Sequence, residues 1–336
     1  MEGVNRQIVL ATQPAGLPKE SDFRLVESPI PQPRPGEVMV HALFLSVDPY
    51  VRGRLRRNGG GVHGPEVGEV MSGGIAGRVI ESNDPRLAEG DLVEGSLGWQ
   101  DYAVAPAKAL RRIDPSIAPI PAWLYVLGMP GLTAYFGLLD ICRPQPGETV
   151  VVSGAGGAVG SLVGQIAKIK RCRAIGVTGS DDKVRFATAE LGFDAAFNYK
   201  TAPDLYAKFK ERCPTGIDAY FDNVGGPVTD AVMRLINTRA RVAVSEQVLQ
   251  YGSEKPEAGP VWLHQLVLKQ AKVEGFLVAA YAERYEDALR QLASWLREGK
   301  IKSREDVMEG LENAPKAFVR MLQGENLGKQ LVKVAE

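Results

Sequence analysis

The chain has 336 residues with charge balanced at 40 basic against 40 acidic, enough for about two domains and with no broad basic surface for nucleic acid or an anionic membrane. No apolar run is long enough to span a bilayer, the first residues lack the apolar core of a signal peptide, and Cys142, Cys172 and Cys213 show no metal-ligand or disulfide spacing. These properties predict a cytoplasmic protein in a reducing compartment, without internal repeats and without nucleic acid or membrane as partner.

Residues 6–10 and 23–27 predict strands, and Pro29, Pro31, Pro33 and Pro35 an extended surface segment ended by Gly36-Glu37. Residues 38–46 alternate like a further strand. After Asp48-Pro49-Tyr50 comes a basic cluster, Arg52, Arg54, Arg56 and Arg57, for which a solvated loop and a place near an anionic cofactor are both open. Glycines at 59, 60, 61, 64 and 68 predict a mobile loop, and residues 73–82 and 90–98 short strands joined by turns. To about residue 120 the pattern is that of a small β-barrel-like domain. Near Pro121 the texture changes: residues 123–139 are apolar and predict a helix, with Gly128-Met129-Pro130-Gly131 inside it.

Residues 149–183 organise the chain. The apolar run Thr149-Val150-Val151-Val152 suits a buried strand, and a glycine-rich turn follows it. Val159, Leu162, Val163, Ile166 and Ala167 then fall at helical spacing, and residues 174–178 form a second β-branched run. Strand, turn, helix and strand make a βαβ dinucleotide-binding unit. Gly154, Gly157 and Gly160 let backbone amides approach a pyrophosphate that side chains would hold off. A structural glycine turn is the competing reading, and the strand before it and the helix after it favour the cofactor.

Strict α/β alternation follows. Ser180 is placed to cap a helix running to Leu191 and stopped by Gly192; residues 195–199 predict a strand, and Pro203 lies near the next helix start. Residues 217–221 predict a strand leading to Asp222-Asn223-Val224-Gly225-Gly226, then a helix over 228–236, a strand over 241–245 and a last strand over 272–278. A helix over 284–297, another over 314–322 and a strand over 330–334 complete the chain, the last returning to the first domain. Ligands of open α/β sheets bind beyond the carboxyl ends of the strands, which gathers Ser180, Tyr199, Asn223 and the segment from Ser245 on one edge.

The phrases Asp48-Pro49-Tyr50-Val51-Arg52-Gly53-Arg54, Gly68-Glu69-Val70-Met71-Ser72-Gly73-Gly74, Met129-Pro130-Gly131-Leu132-Thr133-Ala134-Tyr135, Phe197-Asn198-Tyr199-Lys200 and Asn326-Leu327-Gly328-Lys329 run nearly end to end in one order. With the glycine turn, Gly179-Ser180-Asp181-Asp182-Lys183 and Asp222-Asn223-Val224-Gly225-Gly226, they resemble the medium-chain dehydrogenase/reductase superfamily, and within it the zinc-free alkenal/prostaglandin reductase group. The resemblance implies an α/β protein, with a doubly wound parallel Rossmann sheet inserted into a GroES-like β-rich catalytic domain. The expected boundaries are 1–125 for the first part of the catalytic domain, 126–300 for the NADP-binding domain and 301–336 for the return. It further implies a homodimer that binds NADP(H).

Carried over residue by residue, the resemblance implies that Gly157, Ala158, Val159 and Gly160 cradle the pyrophosphate. It implies that Lys183 and Tyr199 meet the adenosine 2′-phosphate beside Ser180, and that Asn223 contacts the cofactor. Ser245 to Tyr251, and Phe276, Leu277 and Val278, run past the nicotinamide, and Asn326 reaches back from the tail. Where relatives have Cys-Gly, this chain has Ser245-Glu246, which bears on nicotinamide geometry and substrate class.

NADPH is expected over NADH. The second strand of the unit ends in small residues, Thr178-Gly179-Ser180, with Lys183 one turn on. Asp181 lies near the spacing of an NAD-type acid and is read as a solvated first-turn residue favoured by the helix dipole. No zinc is expected, because Ser46 replaces an early cysteine ligand and Pro65 stands where a histidine ligand would. Three activities compete: reduction of the C=C bond of enals and enones, quinone reduction, and nucleotide binding with little turnover. For the first, hydride goes to the β-carbon and the enolate needs a hydrogen-bond donor and a proton. Tyr251 is the candidate donor, with Tyr50 a second residue shaping the pocket; ribose hydroxyls or water are the alternatives.

Overall fold

Alternating apolar residues build the first part of the chain as antiparallel sheet. The computed structural model describes residues 3–55, 64–248, 260 and 262–336. Strands β1 (Val4–Leu10) and β2 (Phe23–Pro29) pair with each other. Next come β3 (Glu37–Ser46), helix α1 (Tyr50–Arg54), β4 (Gly74–Ser82), β5 (Leu92–Ser96), β6 (Tyr102–Pro106), β7 (Arg111–Arg112) and α2 (Ile120–Trp123). Helix α3 (Met129–Phe136) opens the alternating half. It continues with β8 (Thr149–Ser153), α4 (Ala158–Ile169), β9 (Arg173–Thr178), α5 (Asp181–Arg185), β10 (Ala195–Asn198) and α6 (Leu205–Arg212). Then follow β11 (Ile217–Asp222), α7 (Gly226–Met233), β12 (Ile236–Val244), α8 (Leu263–Lys269), β13 (Lys272–Gly275) and α9 (Tyr285–Arg297). The chain closes with β14 (Glu305–Glu309), α10 (Ala314–Gln323) and β15 (Lys329–Lys333).

Backbone proximity divides the chain into two units, Met1–Leu124 with Glu305–Glu336, and Tyr125–Arg304. In the first, the sheet runs β14-β15-β3-β4-β5-β7, and β6 pairs antiparallel with Glu37–His41 of β3. The tail enters this sheet through β15, antiparallel to β3 with Leu331 opposite Ser46. The core centres on Trp99, whose ring centroid lies 6.0 Å from Phe23 and 5.7 Å from Phe318, so α10 is fastened by aromatic packing. The same unit holds a buried ion pair: Lys329 Nζ donates to Asp48 Oδ1 at 3.0 Å, Val47 O at 2.8 Å and Gln330 O at 3.1 Å, and Ser46 Oγ donates to Asp48 Oδ2 at 2.5 Å. Burial pushes the Lys329 ammonium below its ordinary range, partly offset by Asp48.

In the second unit the strand order is β10-β9-β8-β11-β12-β13, with every pairing parallel. Residues 149–153 are buried throughout, because helices cover both faces of such a sheet. Gly164 on α4 admits the Phe193 ring, since a Cβ there would stand 1.8 Å from Phe193 Cζ. Burial pushes the Cys142 and Cys213 thiols up to about 12 and Cys172 up to about 11, so none is a nucleophile at neutral pH.

Four expectations need correction. The helix expected over 123–139 is split, with α2 ending at Trp123 and α3 starting at Met129. Pro130 suits a first helical turn, and Gly131 is packed against the Val126 carbonyl so closely that a Cβ would lie 1.8 Å away. The helix expected over 228–236 ends at Met233, because Ile236 is drawn into the sheet opposite Ile217. The strand expected over 272–278 ends at Gly275, and Val278 opens a 3-10 turn. Of the two readings open for the basic cluster, the solvated loop fails at its start, which is helical over Tyr50–Arg54, with Arg52 buried and donating to the Gly16 carbonyl. Arg56, Arg57 and the glycines at 59, 60 and 61 lie outside the described residues.

Candidate cofactor site

Six parallel strands end on one edge, and the strand order reverses direction at β8, between β9 and β11, where open sheets of this kind leave a crevice. Gly154 leaves β8 at φ +66°, a conformation that favours glycine. Ala155 N–H then donates to the Val177 carbonyl at 3.1 Å and Gly157 N–H to the Gly154 carbonyl at 2.9 Å, closing the turn. Gly160 lies against that same carbonyl, where a Cβ would come within 2.3 Å of the oxygen. Helix α4 starts after Gly157, which has no side chain to cap it. The first-turn amides of a twelve-residue helix are therefore left for an anion, and the residues here suit a pyrophosphate.

Tertiary structure adds what the spacing does not show. Gly156 is pressed by Lys183: a Cβ at position 156 would lie 2.8 Å from Lys183 Cβ and Cγ. The Lys183 stem therefore runs along the glycine turn. Ser180 caps α5, its Oγ accepting from Lys183 N–H at 3.3 Å. Beyond β10, Tyr199 and Lys200 fold back over Gly179, where a Cβ would stand 3.3 Å from Lys200 Cε, 3.5 Å from Tyr199 Cε1 and 3.6 Å from Lys200 Nζ. Burial raises the Tyr199 phenol above its ordinary value, so it stays a neutral donor. Two lysines, a serine and a tyrosine thus gather around the end of β9, a donor set suited to a phosphate dianion.

At the β11 end, Asp222 is a buried hub. Its Oδ1 accepts from Tyr220 Oη at 2.8 Å, Gly225 N–H at 2.9 Å, Val224 N–H at 3.0 Å and Ser153 Oγ at 3.1 Å, while Oδ2 accepts from Thr229 Oγ1 at 2.7 Å. Asn223 Nδ2 donates to the Ser153 carbonyl at 2.7 Å and its backbone N–H to Ser153 Oγ at 2.9 Å, tying the ends of β8 and β11 together. Ser245 N–H donates to the Asp222 carbonyl at 3.0 Å, which draws the segment after β12 to the same turn.

The remaining expected residues are scattered. The Phe276 ring packs edge-on to Phe221 and Tyr281, Leu277 is 77% exposed, and Val278 packs near Phe136. Tyr50 opens α1 in the first unit with the Arg54 guanidinium 4.6 Å above its ring. Asn326, in the same unit, is buried and donates to the Gly328 carbonyl at 2.9 Å. Tyr251 lies outside the described residues. The readings from sequence missed Gly156, Lys200 and Asp222 as parts of this edge; the acid opening Asp222-Asn223-Val224-Gly225-Gly226 and the second cation after Tyr199 were the available signals.

Sheet order and turn define a dinucleotide-binding unit. Residues 6–113 match the family described as the N-terminal domain of oxidoreductase, and residues 158–294 the one described as zinc-binding dehydrogenase. The NADPH-dependent curcumin reductase of Escherichia coli (strain K12) is 42% identical over 337 residues, covering 98% of this chain and 97% of that protein. The 2-alkenal reductase (NADP(+)-dependent) of Nicotiana tabacum is 42% identical over 336 residues, covering 98% of this chain and 98% of that one. The crystal structure of CurA in complex with NADPH from Vibrio vulnificus superposes with a TM-score of 0.93 at 41% identity, covering 98% of this chain and 99% of that one. The chain belongs to the zinc-free double-bond reductase group of the medium-chain dehydrogenase/reductase superfamily, and is an NADP(H)-dependent oxidoreductase with a Rossmann and a GroES-like domain.

Proposed function

We propose that this protein reduces the carbon–carbon double bond of α,β-unsaturated aldehydes and ketones with NADPH. The observation that carries the reading is identity of 42% across nearly the whole chain with a 2-alkenal reductase and a curcumin reductase. NADPH, when bound, supplies hydride to the β-carbon of the conjugated acceptor. The chain's part at the adenosine end is charge: Lys183 along the glycine turn and Lys200 over Gly179 favour a 2′-phosphate. At the reacting end a donor must hold the developing enolate oxygen, the role assigned to Tyr251, with Tyr50 shaping the pocket. Ser46 Oγ is already engaged with Asp48, and with Pro65 it removes two ligand positions, which supports zinc-independent chemistry. The test is steady-state NADPH oxidation with a 2-alkenal, a cyclic enone and a quinone. Turnover of the alkenal and enone with saturated carbonyl products is expected. Turnover of the quinone alone would replace the reading with quinone reduction, and stoichiometric NADPH binding without turnover would replace it with a nucleotide-binding role.

The same reading includes a homodimer built on β13. This strand is the outermost of its sheet among the described residues, and all four of its residues are exposed. On α8, the helix that precedes it in the chain, Val267 is 79% and Leu268 68% exposed. An edge strand pairing with its own copy about a two-fold axis at Val273 runs antiparallel and sets Lys272 opposite the copy's Glu274, a self-complementary arrangement.

A further inference from the structure

We propose that Asn198 helps to set cofactor preference by holding the Asp181 carboxylate away from the adenosine ribose; this rests on the NADPH reading above. NAD-binding units use an acid near the end of the second strand to accept from the ribose hydroxyls. Asp181 is the first acid after β9, three residues beyond Thr178, and it is exposed at this edge. A carboxylate turned inward there serves NADH and repels a 2′-phosphate. Here its Oδ1 accepts from Asn198 Nδ2 at 3.0 Å. The other end of the same amide, Asn198 Oδ1, accepts from Lys200 N–H at 3.0 Å. With a carboxylate on one side and an N–H on the other, only this orientation of the amide satisfies both.

One side chain therefore holds the acid to its own side of the turn, with its Nδ2 on the carboxylate and its Oδ1 anchored by the Lys200 N–H. The contact exists because β10 lies parallel to β9 with Asn198 opposite Thr178.

Equilibrium binding of 2′,5′-ADP and 5′-AMP by calorimetry tests this on the wild-type protein, N198A, D181N and N198A/D181N. N198A is expected to lower the ratio of 2′,5′-ADP to 5′-AMP affinity by about tenfold, the size of one hydrogen bond to a charged group. D181N alone is expected to change the ratio by less than about threefold, and the double variant to return to within about threefold of wild type, because no carboxylate is left to swing inward. A merely structural role for Asn198 predicts no such rescue. Asn198→Leu, which keeps the volume without either hydrogen-bonding end, is expected to repeat the N198A loss. An unchanged ratio in N198A, equal loss of both nucleotides, or the same loss in N198A and the double variant overturns the proposal while leaving the NADPH reading intact. Equal binding of the two nucleotides by the wild-type protein overturns the NADPH reading and the proposal with it.

Discussion

Lys183 shows how one residue acquires a function from where its stem lies. Its backbone N–H goes to the Ser180 cap and its methylenes cross Gly156, so the stem of the side chain is laid along the glycine turn. Ser180, Tyr199 and Lys200 complete the donors around the end of β9. Changing Lys183 to Ala removes a cation without disturbing the cap, because the cap uses only the backbone of residue 183. NADPH affinity is expected to fall by about tenfold or more, and NADH affinity by less than about threefold. Fluorescence titration with both cofactors checks this, and equal losses would remove Lys183 from the phosphate site.

At the scale of elements, the return of the tail is held by one buried pair. Lys329 and Asp48 stand 281 positions apart in sequence and 3.0 Å apart in space, with side chains 1% and 5% exposed. The ammonium fastens the start of β15 to the segment between β3 and α1, since it also takes the Val47 and Gln330 carbonyls. Replacing Lys329 by Met leaves the Asp48 carboxylate buried with only the Ser46 hydroxyl donating to it among the described residues, and a destabilisation of about 3–5 kcal/mol is expected. The double variant K329M/D48N, with no charge left to bury, is expected to recover part of that loss. Urea unfolding midpoints of the two variants decide it: equal midpoints would show that the pair is not coupled.

For the whole molecule, the proposed two-fold pairing of β13 makes association depend on charge order along one strand. Glu274→Lys would set Lys272 against a lysine of the second copy in both symmetric pairs, and a weakening of dimerisation by about tenfold is expected. Exchanging the two residues, K272E/E274K, keeps each pair opposite in sign and is expected to restore the dimer. Light scattering coupled to size-exclusion chromatography reads the mass directly. A wild-type mass of one chain, or a swap no better than the single change, would sink this interface.

Local pattern was sufficient for the βαβ unit. The Val150–Val152 run, the glycine positions and the apolar spacing of α4 each act over a few residues, and the same holds for the Ser180 cap and the Gly192 stop. Even the common edge of Ser180, Tyr199, Asn223 and Ser245 was legible, because parallel strands place their carboxyl ends together. Partnership between distant segments was not. Helix α7 stops early because Ile236 gains a strand partner in Ile217, which outweighs local helical spacing. Gly156 looks like one more small residue until Lys183 is laid across it. Asp222 looks like turn chemistry until Tyr220, Ser153 and Thr229 converge on its carboxylate. Asn198 meets Asp181 only through the pairing of β10 with β9, and Lys329 meets Asp48 only when the tail joins the first sheet. Propensity and spacing measure free energy along the chain; these contacts draw theirs from burial and hydrogen bonding between segments that sequence order keeps apart.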